Sequence, residues 1–424
     1  MKQKSPSKEQ QQIKTLSCLP EDIVIEILVK LPVKSLLRFK SVCKRWNSLI
    51  KTTSFIIRYN SPSRRHNNSK LLCFREDPIT QTHVVSLHDH KTLEKIQDLE
   101  FPSFIDDDSV PFDKDIQIFG PVNNGIYCIN DRLNLWGGTL ILWNPCTKSY
   151  KHILPATISD ATERDTKSFQ IGFGYDDSIN DYKIVVICHW DETVYNGDNP
   201  PTDRWHVRVY NNATESWTTI HNLEYGVTEY LGFPYIDFCS GFSANCFING
   251  KYHWSCAVKK YPRIYGNKLS VLVFDMASET FNVMRGPPVV GVLNEDEDED
   301  EDAMDDYCEL EEMSVWVVKE TIGVMVSCSR KETVKVWIMK EYGDEDSWEL
   351  VSTIATKTYE EYRVIGIPND KHIFFADFHG NLISYNFEND QVIEYAAFGP
   401  YKGYSGDDSD TLGVLNYVEA LSLV

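Results

Sequence analysis

Two kinds of hydrophobic pattern follow each other along the chain, and the change falls near residue 60. Between Leu19 and Lys51 apolar residues recur at helical spacing, whereas from Leu71 onward they alternate with polar residues or form short runs. Helical spacing collects residues three and four apart on one face, and alternation collects every second residue on one face of a strand. The pattern predicts a short helical module followed by a large β-rich domain.

The helical module is predicted to contain three short helices. The first begins at Pro20 and ends near Leu31, and the others span 33–39 and 41–50. Apolar residues surround the first helix almost completely, so it must be covered on more than one side. A piece of about 40 residues rarely buries enough surface alone. The surplus apolar face implies either another protein or the large domain of the same chain as its cover.

The β-rich domain shows repeated strand signals and one strong hairpin signal. Asn249-Gly250 separates two apolar runs and predicts a tight hairpin, and His379-Gly380 is a weaker signal of the same kind. Runs with strand character occur at 70–74, 125–129, 139–143, 182–188, 206–210, 269–274, 334–339 and 382–387.

A loose internal repeat runs through this domain. Each unit reads as a strand, a polar turn and an aromatic residue, and the units lie roughly 60 residues apart, which exceeds one ordinary four-stranded blade. The repeat predicts an irregular β-propeller with long loops, with a two-sheet β-sandwich as the alternative. The units are 141–150, 207–217, 271–281 and 336–348.

Charge and cysteine usage narrow the function classes. The chain has 42 Lys and Arg against 63 Asp and Glu, a net charge of −21, which repels nucleic acids and anionic membranes and attracts basic partners. No apolar run reaches about 18 residues, and the first residues are polar, so we expect a soluble intracellular protein. The 11 cysteines include no Cys-x-x-Cys pair, so neither a disulfide framework nor a zinc site is indicated.

The helical module resembles the F-box motif in four segments: 19–22 (Leu-Pro-Glu-Asp), 27–28, 31–40 and 42–46. The resemblance implies a Skp-type adaptor as partner, which in turn holds a cullin scaffold that carries a RING subunit. It implies adaptor contacts at Leu19, Pro20, Ile23, Leu31, Pro32 and Leu36. Four further residues are assigned to the module's own core: Val24, Leu28, Val42 and Trp46.

The β-rich domain resembles the plant F-box-associated domain, which is kelch-like. The matching segments are 124–128, 142–145, 172–176 with 181–185, and 336–343. The last of these, with 347–348 and 417–419, is similar to S-locus F-box proteins of self-incompatible plants and their S-locus-like relatives. The expected organisation is a disordered tail (1–15), an F-box (16–58), a linker (59–70) and a target-binding β-domain (71–424) with an acidic loop (294–312).

These resemblances imply the substrate-recognition subunit of an SCF-type ubiquitin ligase, expected in the cytoplasm or nucleus, and in pollen if it is of the S-locus type. The target would then be a non-self S-ribonuclease; the alternatives are an unrelated regulatory protein as target, or a propeller scaffold outside any ligase. Basic targets could be steered by the acidic run, and aromatic loops suit protein recognition. The candidate target-binding residues are Trp190, Tyr195, Trp205, Tyr230, Glu295, Asp296, Glu297 and Asp298.

No catalytic residue, cofactor or metal is predicted. His88-Asp89-His90 is interpreted as a turn because no third ligand accompanies it. Gly172-Phe173-Gly174-Tyr175-Asp176 lacks the third glycine and the helix of a dinucleotide site and is interpreted as a β-turn region. A copper oxidase on a propeller is the rival from another class, and it would leave the F-box without a purpose.

Overall fold

The computed structural model describes most of the predicted elements. Residues 294–309 of the acidic run, the predicted tail 1–15 and residues 61–69 lie outside the described part. Within the described part, no helix is long and apolar enough to cross a membrane. The described residues are 19–60, 70–77, 80, 82–102, 116–123, 125–131, 139–154, 166–192, 202–220, 235–238, 246–259, 268–288, 310–328, 333–355, 363–367, 371–376, 381–395 and 412–421.

The helical module contains a fourth helix besides the three predicted. The added helix follows Thr52, whose hydroxyl accepts a hydrogen bond from the Phe55 amide at 3.3 Å, and its Phe55 and Tyr59 are buried four residues apart. The segment after Ile50 therefore contributes Phe55 and Tyr59 to the core of the helical module. The helices are α1 (Glu21–Val29), α2 (Val33–Phe39), α3 (Lys44–Ile50) and α4 (Thr53–Tyr59).

Six antiparallel sheets follow the helices, and we number them as blades 1 to 6. Blade 1 holds β1 (Lys70–Asp77), β2 (Thr82–Asp89), β3 (Lys95–Leu99) and β25 (Leu412–Tyr417); blade 2 holds β4 (Ile116–Val122), β5 (Ile126–Asp131), β6 (Leu140–Asn144) and β7 (Ser149–Ile153). Blade 3 holds β8 (Thr166–Asp176), β9 (Asp181–Glu192), β10 (Thr202–Asn211) and β11 (Ser216–Ile220). Blade 4 holds β12 (Tyr235–Phe238), β13 (Phe247–Ile248), β14 (Lys251–Lys259), β15 (Lys268–Asp275) and β16 (Thr280–Arg285). Blade 5 holds β17 (Leu310–Val318), β18 (Thr321–Cys328), β19 (Thr333–Met339) and β20 (Trp348–Ala355), and blade 6 holds β21 (Arg363–Gly366), β22 (His372–Ala376), β23 (Leu382–Asn386) and β24 (Gln391–Tyr395).

The blades form a closed ring, because neighbouring blades share hydrophobic cores all the way round. Separate clusters join blades 1 and 2, 2 and 3, 3 to 5, 5 and 6, and 6 and 1. β25 pairs with β1, with Leu415 opposite Leu72, so strands distant in sequence complete blade 1. The molecule is a six-bladed β-propeller preceded by short helices, which confirms the predicted propeller and sets aside the sandwich.

The internal repeat corresponds to the third and fourth strands of blades 2 to 5. In blades 2 to 4 the third strand ends on Asn144, Asn211 or Asp275, whose side-chain oxygen accepts hydrogen bonds from the amides two and three residues on. The residue four positions on has positive φ: Lys148 at 59° and Glu215 at 51°, with the same feature at Glu279. The same turn closes blade 1, where Asp89 accepts the amides of Lys91 and Thr92 and Leu93 has a φ of 56°. One turn chemistry therefore builds the same hairpin in blades 1 to 4, while blade 5 uses the longer turn 340–347.

Short and long connections lie on opposite faces of the ring. In each blade the turns from first to second and from third to fourth strand share one face, and the remaining connections share the other. On the first face, the turn from third to fourth strand is longer in blade 5, at 340–347, than in blades 1 to 4. Cys146, in the β6–β7 turn, packs against the core of the helical module. The helices therefore rest on the face of the short turns.

Candidate protein-interaction surface

A stripe of exposed apolar side chains runs along α1. Leu19, Ile23 and Ile27 are spaced four residues apart and are 39%, 46% and 50% exposed. Ile23 and Ile27 lie on one face of α1, and Leu19 lies two residues before the helix begins at Glu21. Five of the eleven large hydrophobic residues exposed in the described part belong to 19–60, so exposure of apolar surface concentrates in this module. We name Leu19, Ile23 and Ile27 the α1 stripe.

The opposite side of α1 holds the module together. Leu28 is 1% exposed and packs with Leu36 and Ile50, while Val24 is partly buried against the same cluster. Pro20 precedes the helix, and Glu21 and Asp22 occupy its first turn, where the helix dipole favours negative charge. The helix therefore buries one side by its own folding and leaves the α1 stripe for a partner.

The predicted adaptor contacts divide into exposed and buried residues. Leu31 is half-buried and packs against the helical core. Leu36 is fully buried, so its assignment to the adaptor surface is corrected: α2 turns this side chain inward, beneath the other helices. Four of the predicted contacts are exposed: Leu19, Pro20, Ile23 and Pro32.

The predicted core of the module is corrected at one position. Trp46 is partly buried, with its ring 5.3 Å from that of Phe39. Val42 is 62% exposed, because α3 starts only at Lys44 and the helical spacing that linked Val42 to Trp46 does not extend back into the preceding turn. Ile27 and Ile57, at 50% and 64% exposure, were missed as surface residues. The spacing from Leu19 through Ile23 was the available signal for Ile27.

The helical module is basic although the chain is acidic. Residues 19–60 contain 8 Lys and Arg against 3 Asp and Glu, so 8 − 3 = +5, compared with −21 for the whole chain. The Arg45 guanidinium donates to Glu21 at 2.9 Å, and Arg58 donates to Glu26, which ties α1 to α3 and α4. Burial, and then the neighbouring Lys51, lowers the pKa of Lys40. An acidic partner surface is the electrostatic complement of this module.

Two of the residues predicted to contact a target, Trp190 and Trp205, lie in described strands of blade 3. Trp190 lies in β9 and Trp205 in β10, at adjacent positions of the paired strands, since Trp205 is opposite His189. The remaining six lie outside the described residues: Tyr195, Tyr230, Glu295, Asp296, Glu297 and Asp298. Their contribution to binding stays a prediction.

The other sequence motifs have structural roles. His88 is buried and its ring nitrogens meet the Ser86 hydroxyl and the Leu93 carbonyl, while Asp89 accepts the amides of Lys91 and Thr92 in the β2–β3 turn. Backbone hydrogen bonds lower the pKa of Asp89. Among the described residues, no group of three or more His, Cys, Asp or Glu is placed to hold a metal ion.

The glycine motif at 172–176 is part of a strand, which corrects its interpretation as a turn region. Gly172 lies in β8 against the Trp254 ring, and a Cβ there would come within 2.5 Å of the indole. Asp176 ends the strand and accepts an ion pair from Lys183 at 2.9 Å, and Lys183 also reaches Glu279 at 2.8 Å in blade 4. The motif therefore supplies a close packing site against blade 4 and one member of a charge pair that is buried within blade 3 and extended by Lys183 to Glu279 of blade 4.

Family comparisons agree with this division into helices and propeller. Residues 123–421 match the family described as the F-box associated beta propeller domain, and residues 16–58 match the F-box domain. The chain belongs to the F-box proteins with this propeller. An F-box/kelch-repeat protein of Arabidopsis thaliana is 23% identical over 390 residues, which are 88% of each chain. The F-box protein CPR1 of the same plant is 24% identical over 364 residues, covering 84% of this chain and 78% of that protein. The predicted membership among plant F-box proteins is confirmed.

Matches to solved structures have low sequence identity and TM-scores below 0.5. The Dos1 propeller matches with a TM-score of 0.32 and 11% identity, over 80% of this chain and 72% of its own. An oligogalacturonate lyase in complex with manganese matches with a TM-score of 0.39 and 9% identity, over 80% and 77% of the two chains.

Proposed function

We propose that this F-box protein is the substrate receptor of an SCF-type ubiquitin ligase, and that its α1 stripe binds a Skp-type adaptor. The observation that carries the proposal is the apolar face of α1, which the module's own fold leaves uncovered, in a module whose net charge is +5. A residue that anchors such an interface typically contributes about 2 kcal/mol, roughly thirtyfold in affinity. The α1 stripe therefore accounts for a specific complex with a protein whose docking groove is apolar and whose rim is acidic.

The receptor performs no bond chemistry itself. The adaptor holds the F-box, the propeller holds a target, and the ubiquitin-charged enzyme elsewhere in the assembly meets target lysines at a raised effective concentration. We place target binding on the propeller face opposite the helices, because the helices already occupy part of the short-turn face at Cys146. We expect this activity in the cytoplasm or nucleus.

Reconstitution tests the ligase assignment. The full chain is mixed with a purified plant Skp-type adaptor, a cullin and a RING subunit, and the products are separated by size-exclusion chromatography. We expect one assembly containing all four proteins. An adaptor complex that excludes the cullin would replace the ligase with the scaffold alternative, and the absence of any adaptor complex would refute the proposal.

A basic secreted ribonuclease of the S-locus type is the target class we propose. The support is charge: the module at 19–60 is positive, so 42 − 8 = 34 basic and 63 − 3 = 60 acidic residues remain, and the rest of the chain carries 34 − 60 = −26. Such a field accelerates association with a basic partner and weakens as salt rises. Binding of a purified S-ribonuclease, measured at low and high salt, is expected to show faster association at low salt. A ribonuclease that does not bind at either salt concentration would favour an unrelated regulatory protein as the target.

A further inference from the structure

Residues 418–421, which follow β25, contact both the helical module and the propeller. On the helical side, the Val33 amide donates to Glu419 Oε1 at 2.8 Å, and the Leu421 amide donates to Asn60 Oδ1 at 3.2 Å. Val33 is the first residue of α2, where backbone amides have no acceptor within the helix. The carboxylate of Glu419 therefore satisfies a helix terminus that would otherwise need water.

Leu421 is an integral part of the helical core. Its side chain is 2% exposed and belongs to the same cluster as Leu28, Leu36, Ile50 and Phe55. All four partners precede it by more than 350 residues in the sequence. Removing this side chain from its site would expose to water both Leu421 and the apolar surface of the helical core that covers it. The position of 418–421 is therefore linked to the packing of the module.

The same segment fits tightly against blade 2. Asn144 Nδ2 donates to the Ala420 carbonyl at 3.4 Å, and Ala420 is 1% exposed. At Gly125, in the β4–β5 turn, an added Cβ would lie 2.5 Å from the Val418 carbonyl oxygen. Gly125 also has a φ of +71°. Both the close approach and the backbone conformation therefore favour glycine at this position. Residues 418–421 are therefore closely packed against blade 2, through a hydrogen bond from Asn144 and a close approach at Gly125.

We propose that residues 418–421 act as a strut that fixes the orientation of the F-box on the propeller, with Glu419 and Leu421 as its positioning residues. The strut sets the path from the adaptor to the bound target, and this consequence rests on the proposed ligase function. The role of the strut in fixing the orientation of the F-box is independent of the ligase function, because its contacts join two parts of one chain. Both contact sites lie beyond Tyr417, the last residue of β25, so the strut can be released without opening the ring.

Release of the strut has a calculable effect. Nine residues, 61–69, separate the helical module from β1 in the sequence. For comparison, an unstructured chain of nine residues spans about 15–18 Å as a root-mean-square distance. An F-box held by that connection alone would sample positions over a comparable range. Held by the strut, it should occupy one narrow range.

The test measures distances in the full chain by double electron–electron resonance. Spin labels on unnatural residues replace Lys34 in α2 and Glu320 in the β17–β18 turn, both of which are exposed. Leu421→Asp places a charge in the helical core, and the double variant Glu419→Ala with Asn60→Ala removes both hydrogen bonds while keeping the apolar packing. Matched controls make the same changes on the exposed strand β24: Val392→Asp and Glu394→Ala.

We expect one narrow distance distribution for the unchanged chain and both controls, and a distribution broadened by about 10 Å or more for the two strut variants. Adaptor affinity, measured in parallel, reports whether the F-box is still folded. If Leu421→Asp loses adaptor binding, its F-box is no longer folded, and the distance distribution of the double variant alone tests the inference. Narrow distributions in both strut variants would overturn the inference. Failure of the unchanged chain to bind any Skp-type adaptor would instead overturn the proposed function and leave the distance result standing.

Discussion

The ion pair between Lys183 and Asp176 should be one of the largest single polar contributions to the stability of the propeller. Lys183 is 4% exposed and Asp176 2%, and the ammonium also donates to the Met276 carbonyl at 2.7 Å. Burial opposes charge on Asp176, but hydrogen bonds from Lys183 and Ser178 outweigh it and lower the pKa of the carboxyl. Lys183→Met leaves that carboxylate buried without its cation, a change that costs about 3–5 kcal/mol.

Urea unfolding followed by tryptophan fluorescence measures this cost. Lys183→Met combined with Asp176→Asn should recover part of the loss, because the stranded charge is then gone. The control is Lys371→Met, which removes an exposed pair with Glu388 and should change the free energy of unfolding by about 0.5 kcal/mol or less. A loss below about 1 kcal/mol in Lys183→Met, or no recovery in the double variant, would refute the reasoning.

Two further predictions follow from buried contacts between blades. The His253 ring lies 2.9 Å from the Tyr342 hydroxyl, and burial lowers the pKa of His253 to about 4. Because an unfolded histidine has a pKa of about 6.5, this residue leaves the free energy of unfolding at its full value above that pH. The free energy of unfolding should fall by about 3 kcal/mol as the pH drops from there towards 4. In His253→Gln, the free energy of unfolding should therefore depend less on pH across this range. If its pH dependence is the same as in the unchanged chain, groups other than His253 cause the loss of stability. Gly366→Ala should lower the melting temperature by several degrees, because its Cβ would lie 2.0 Å from the Val414 carbonyl oxygen between blades 6 and 1. Gly250→Asn, in open space at a φ that asparagine tolerates, is its control, and equal melting temperatures for the two variants would contradict the close approach.

The strand content of the propeller was accessible from the sequence because each blade buries its middle strands on both sides. All eight predicted runs fall in strands to within a residue, and Asn249-Gly250 joins β13 to β14 with φ values of 51° and 74°, as a tight hairpin requires. His379-Gly380 lies outside the described residues. Long-range pairing carries no local signal, so the closure of blade 1 by β25 could not be predicted.

The surface of the helical module was predicted less well, for a related reason. Helical spacing identifies which residues share a face but not which face the rest of the chain covers. Leu36 and Leu31 read alike in sequence, yet Leu36 is fully buried and Leu31 is not. The difference arises from packing with α3, α4 and Leu421, contacts that no local pattern contains.

The most direct test of the account is the affinity of a purified Skp-type adaptor for α1-stripe variants of the full chain, measured by isothermal titration calorimetry. Ile23→Asp and Ile27→Asp should each weaken binding by roughly thirtyfold or more. The matched control Ile96→Asp makes the same change at a 48% exposed isoleucine on β3 of the propeller and should bind as the unchanged chain does. Equal affinities for all four proteins would contradict the assignment of the α1 stripe as the adaptor-binding surface.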